Sequence, residues 1–133
     1  MKYKFIEDLT SDVMFEAYGK DLKELFQNSA LALSEVICKN VKPKVKVNVK
    51  IKSDDLEDLM VDWLQKIISL VDIKDMFFSK FVVKKIDEKS LSAEIYGEKI
   101  SPEKGETVVK AVTNYKFKLE KKKNYLVRVS LDI

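Results

Sequence analysis

The sequence has no histidine, one cysteine, three glycines and two prolines in 133 residues. Without histidine there is no imidazole base, no His/Cys zinc site and no imidazole pH switch. The single cysteine, Cys38, excludes an internal disulfide framework and suits a reducing compartment. It lies in an apolar stripe, where packing is expected rather than reactivity. So few glycines and prolines leave little room for structureless linkers, and no glycine-rich loop is available to cradle phosphates. The longest apolar run is far short of the roughly 20 residues that span a bilayer. Met1–Phe5 reads as a strand rather than a signal peptide, so a cytoplasmic protein with no membrane association is expected.

Arginine is also scarce: Arg128 is the sole arginine among 25 basic residues. Strong nucleic-acid readers use arginine forks for bases and phosphates. A surface of lysine and glutamate with net charge +3 reads first as a solvated face, a pattern frequent in hyperthermophiles.

What is present is regular patterning over one domain, residues 1–133. The final nine residues, Tyr125 to Ile133, alternate strictly: Tyr125, Val127, Val129, Leu131 and Ile133 share one parity, with Arg128, Ser130 and Asp132 between them. That is a strand with one buried face. Holding this strand end would set the α-carboxylate of Ile133 beside the carboxylate of Asp132. Two anions roughly 4 Å apart repel by about 4 kcal/mol at an effective dielectric near 20, so a cation, a lysine or a proton must offset them.

Earlier in the chain, two short strands flank a polar turn containing Asp12. Asp21, with Glu24 three residues on, caps a first helix whose stripe is Leu22, Leu25, Phe26, Ser29, Leu33, Val36 and Ile37; Asn40 and Pro43 stop it. Val45–Ile51 alternates with lysines as a half-buried strand. That lysine face is either a solvated sheet surface or a nucleic-acid contact. Ser53 or Asp54 is expected to cap a second helix carrying Leu56, Leu59, Met60, Trp63, Leu64, Ile67, Ile68 and Val71, with Trp63 as a core anchor. The acidic first turn (Asp54, Asp55, Glu57, Asp58) complements the helix dipole; metal binding there is the less common alternative. Met76–Ile86 and Leu91–Tyr96 read as a hairpin around Asp87–Ser90 that closes at Gly97. The loosest loop is Ser101–Glu106.

Val108–Leu119 reads as the partner of the last strand. Pairing Leu119 with Tyr125 around a five-residue loop brings both apolar sets to one face, with Tyr115 opposite Val129 and Thr113 opposite Leu131. Asp132 then lies opposite Val112, diagonal to Lys110. The pair is either a plain cross-strand ion pair, worth under about 1 kcal/mol if exposed, or part of a site at the strand end. The fold expected is α+β, with mainly antiparallel sheets packed against two amphipathic helices and the final hairpin central.

Several blocks in order resemble the archease family, the small activators of RtcB-type tRNA-splicing ligases. They are Thr10-Ser11-Asp12-Val13 with Ala17-Tyr18-Gly19-Lys20-Asp21-Leu22, then Leu25-Phe26 and Ala30-Leu31-Ala32-Leu33. Asp58 to Leu64 follows, then Tyr96-Gly97-Glu98, Val109-Lys110-Ala111-Val112-Thr113 and the closing Leu131-Asp132-Ile133. The resemblance implies a divalent-metal site at Asp12, Asp132 and the terminal carboxylate of Ile133, with Lys110 as the functionally important lysine. Asp12 enters through the resemblance alone. All-oxygen ligands suit a hard cation, Ca²⁺ more readily than Mg²⁺.

The resemblance further implies an accessory protein in tRNA splicing. It would promote ligase guanylylation and turnover and broaden nucleotide use, with the ligase as partner and tRNA contacted weakly or indirectly. Two departures stand out: Leu9-Thr10 where the family often has His-Thr, and Thr113-Asn114-Tyr115 where it often has Thr-Tyr-His. With no strong nucleophile, an activator is expected rather than an enzyme. A lysine-rich RNA-binding module or RNA chaperone is the alternative, and a small metal-dependent hydrolase the third reading.

Overall fold

The computed structural model describes residues 1–8 and 12–133. Among them are seven strands and two α-helices: β1 (Tyr3–Ile6), β2 (Val13–Gly19), α1 (Leu22–Ile37), β3 (Val45–Lys52), α2 (Leu56–Lys74), β4 (Met76–Ile86), β5 (Ser90–Lys99), β6 (Ala111–Lys121) and β7 (Tyr125–Asp132). A single 3-10 turn, Pro102–Lys104, interrupts the loop before β6. The strands form two antiparallel sheets, ordered β1-β2-β7-β6 and β3-β5-β4. The α+β architecture expected from the sequence is therefore observed. β7 is interior in its sheet, while its hairpin partner β6 is an edge strand.

The helices start where their caps say. The Asp21 side chain accepts from the Glu24 N–H at 2.9 Å and satisfies one of the helix's unpaired donors. For α2 the cap is Asp55, which accepts from the Asp58 N–H at 2.8 Å; it is neither Ser53 nor Asp54. Ser53 instead donates to Asp62 at 2.6 Å. The acidic first turn thus serves as a cap, and its charges crowd one another: mainly Asp55 raises the pKa of the exposed Asp58 above its ordinary value.

Both helices bury their stripes in one core that also takes side chains from both sheets. Trp63 is fully buried, and its indole Nε1–H donates to the Phe26 carbonyl on α1 at 2.9 Å. Ser29, the small residue of the α1 stripe, is equally buried and brings its Oγ to 3.3 Å from the Met60 sulfur. A small side chain at this point lets the helices approach closely.

Three details of the last two hairpins differ from the sequence reading. β5 does not close at Gly97 but continues to Lys99. Gly97 lies opposite Phe78 on one side and Val45 on the other, and a Cβ there would run into the Phe77 carbonyl. The strand needs glycine for close backbone approach. In the final hairpin, Lys121 rather than Leu119 pairs with Tyr125. The shift is two residues, so parity survives and Leu119 still shares a face with Val127. Between Thr113 and Lys118, however, β6 carries three more residues than the facing stretch of β7. The extra residues bulge outwards around Lys116, whose φ is 53°. Tyr115 therefore does not face Val129. It is exposed, its carbonyl accepts from Ser130 Oγ at 2.8 Å, and Lys116 reaches Asp8 at 3.0 Å.

Candidate functional site

The buried residue Leu131 organises one end of the four-stranded sheet. It is fully buried and pairs with Val13 of β2 on one side and Val112 of β6 on the other. Burial on both sides sets the register, because a one-residue slip would expose the apolar set of β7. The residues just past this triplet are held in consequence. Asp12 directly precedes Val13 and Asp132 directly follows Leu131, so the β2–β7 register runs Asp12 towards Asp132. Directly opposed Cα atoms in such a ladder are about 4.5–5.5 Å apart. Asp12 is half-buried; Asp132 and Ile133 are exposed.

Lys110 approaches from the other flank. Its backbone N–H donates to the Asp132 carbonyl at 2.8 Å. Asp132 pairs with Ala111 rather than Val112, one position from the register expected, because the bulge absorbs an odd number of residues. Lys110 and Asp132 are neighbours, but not as a cross-strand ion pair on one face. Among the described residues no carboxylate comes within 4.0 Å of the Lys110 amine. The entry to β6 is itself tied down: Gln65 of α2 accepts from the Val112 N–H at 3.1 Å.

Two supporting groups escaped the sequence reading. Glu16 lies directly opposite Arg128, accepts from its Nε and Nη2 at 3.1 and 3.0 Å, and accepts from the Tyr18 hydroxyl at 3.1 Å. Burial alone would raise the Glu16 pKa, but these hydrogen bonds and the guanidinium charge outweigh it and hold the carboxyl below its ordinary value. This pair staples β2 to β7 two rungs from the Met14–Ser130 pair. The sole arginine in the chain was the available signal. The second group is Asp8 with Tyr115 and Lys116. The Tyr115 hydroxyl donates to Asp8 at 3.4 Å, and the Lys116 ammonium, at 3.0 Å, has its pKa raised chiefly by that bond. Tyr115 is one of the two departures noted above; Leu9-Thr10, the other, lies outside the described residues.

Among the described residues no three His, Cys, Asp or Glu side chains converge on a common point. The side chains at this strand end that could meet a metal, Asp12 and Asp132, are carboxylates, hard oxygen donors of the kind that suit an alkaline-earth cation. No helix among the described residues is long and apolar enough to cross a membrane.

Comparisons with known proteins give the family and the fold. Residues 3–133 match the model of the archease protein family. The chain is 43% identical to the archease of Sulfurisphaera tokodaii, covering 95% of this chain and 94% of that protein. It is 35% identical to that of Archaeoglobus fulgidus over the full length of both. It superposes on the solution structure of Methanobacterium thermoautotrophicum protein 1598 with a TM-score of 0.82 at 36% identity, covering 98% of each chain. A Thermotoga maritima crystal structure, described as an archease and possible chaperone, shares the fold with a TM-score of 0.70 at 18% identity, covering 96% of this chain and 95% of that one. Matched by the family model over residues 3–133 and 35–43% identical to these relatives over nearly its whole length, the chain belongs to the archease family.

Proposed function

We propose that this protein is an accessory activator of an RtcB-type tRNA-splicing ligase rather than an enzyme. In this reading it promotes guanylylation and turnover of the ligase and broadens its nucleotide use. The observation that carries it is the strand end at which Asp12, Asp132 and Lys110 come from three adjacent strand termini around Leu131. Asp12, Asp132 and the Ile133 carboxylate would hold a divalent cation, with Ca²⁺ favoured over Mg²⁺ because calcium accepts looser oxygen geometry. When bound, the cation supplies positive charge that offsets the clustered carboxylates and can attract anionic oxygens. Lys110, with no carboxylate partner within 4.0 Å among the described residues, offers three donors and a point charge to phosphate oxygens on the same rim. The staple Glu16–Arg128 and the tie Gln65–Val112 position these groups; neither touches a reacting atom. This end would dock at the ligase active site, in the cytoplasm, where tRNA is the ligase's substrate.

The test is ligase guanylylation and multiple-turnover RNA joining with wild-type protein, Asp12→Ala, Lys110→Ala and Asp132→Ala. Each variant is expected to lose most of the stimulation while retaining the wild-type melting temperature within a few degrees. Full stimulation by all three removes the proposed site. A version extended beyond Ile133 should bind Ca²⁺ more weakly in calorimetry, because its terminal carboxylate is displaced. Unchanged affinity removes the main-chain ligand.

A further inference from the structure

The second sheet, β3-β5-β4, contacts both helices through one face only. Along β5, Leu91, Ala93 and Ile95 are buried towards the core, while Ser90, Ser92, Glu94 and Tyr96 alternate with them on the face left open. Register then assembles that open face in rows. Lys52 faces Ser90; Lys50 and Lys85 flank Ser92; Asn48 and Val82 flank Glu94; Lys46 and Lys80 flank Tyr96. Successive rows on one face are about 6.7 Å apart along the strands, and neighbouring strands are about 4.8 Å apart.

The rows differ in charge balance. Glu94 is satisfied by Lys46 at 3.5 Å and by the Tyr96 hydroxyl at 3.0 Å, chiefly the latter holding its pKa below the ordinary value. Lys80 lies over the Tyr96 ring, 5.1 Å from its centroid. Lys50, Lys52 and Lys85 have no such counterpart: among the described residues no carboxylate lies within 4.0 Å of any of them. They line one concavity together with Ser90 and Ser92, and no acid lines it. The neighbouring concavities, by contrast, contain Asp62 on one side and Asp87 with Glu88 on the other.

We propose that this open face binds single-stranded RNA, with Lys50, Lys52, Lys85, Ser90 and Ser92 on the phosphates and Tyr96 as a stacking platform. The reading is independent of the carboxylate end and goes beyond ligase activation, since it gives this protein its own contact with RNA. Three cations on the two strands that flank β5, with the β5 serines between them, match a chain of phosphates better than one compact anion. The acidic rim disfavours a broad anionic surface and leaves room for a narrow strand. An aromatic ring on the same face distinguishes a nucleic acid from an acidic peptide, because every base has a π-face to stack. On binding, Lys80 would move from the ring to a flanking phosphate.

The experiment is fluorescence anisotropy of the full chain with a short fluorescein-labelled single-stranded oligouridylate, from about 50 to 200 mM salt. Neutralising three phosphate contacts on single strands adds about 2 to the slope of log affinity against log salt. Lys50→Ala/Lys52→Ala/Lys85→Ala should lose that increment and at least tenfold in affinity at the lower salt. The equal-charge control Lys118→Ala/Lys121→Ala/Lys122→Ala, in the β6–β7 hairpin, should lose little. Tyr96→Phe should bind as wild type and Tyr96→Leu about tenfold more weakly. Four outcomes overturn the proposal: no wild-type binding at the lower salt, equal losses in patch and control variants, equal affinity for oligoglutamate of matched charge, or no effect of Tyr96→Leu.

Discussion

Replacing Glu16 by glutamine tests whether a charged staple holds the β2–β7 register on which the strand end depends. The substitution keeps size and one acceptor but removes the negative charge facing Arg128. The Glu16 side chain is 10% exposed, whereas that of Arg128 is 31% exposed, so water re-solvates the guanidinium in part once its partner is neutral. Truncating one side of a fully buried pair costs about 3–5 kcal/mol, and a single hydrogen bond to a charged group about 1.5–3. The half-open geometry argues for the lower range, about 2 kcal/mol. For a domain of this size that is a fall in Tm of about 8 °C.

The pH dependence has a definite sign. The folded-state pKa of Glu16 is lowered, so its contribution is complete above the unfolded value of 4.5 and is lost as pH falls through the folded value. Glu16→Gln lacks that titration. The stability gap between wild type and variant, measured by urea unfolding, should be full at pH 7 and shrink below pH 4.5. Other carboxylates shifted downwards, such as Glu98 beside Lys104, titrate in both proteins and cancel in the difference. A gap that stays constant through this acid range, or is below about 0.5 kcal/mol at neutral pH, where surface substitutions fall, refutes the reasoning.

Two further perturbations test the frame around the sites. Gly97→Ala should destabilise by about 1–3 kcal/mol in urea unfolding, the usual range for overpacking, because the new Cβ meets the Phe77 carbonyl rather than a movable side chain. Asp55→Ala should cost about 1 kcal/mol through loss of the α2 cap, whereas Asp54→Ala should fall within about 0.5 kcal/mol of wild type; equal effects would contradict the capping assignment.

Local chemistry alone made much of the fold legible. The 3.6-residue stripes with Asp21 and Trp63 defined two helices, and the alternation in Val45–Ile51 and Tyr125–Ile133 defined two strands, because periodicity reports which face is buried. The α2 cap was displaced because Ser53, Asp54 and Asp55 are equivalent as cap residues in sequence; only the path of the chain decides which carboxylate meets the orphan N–H groups. The β6 register was displaced because a bulge has no compositional mark when Asn114, Tyr115 and Lys116 are all compatible with a strand.

The chain order by itself determined that Lys110, Asp132 and Ile133 lie near one another, since hairpin pairing links residues close in sequence. It also determined that lysines line one face of β3. Only the tertiary structure decided that Asp12 and Asp132 flank the Val13–Leu131 pair, because bringing together residues more than a hundred positions apart depends on which strand β7 chooses as its second neighbour. It likewise decided that Lys50 and Lys85 flank Ser92 on one uncovered surface. Sheet order and register are set by burial of the whole core, and no local stretch contains that information.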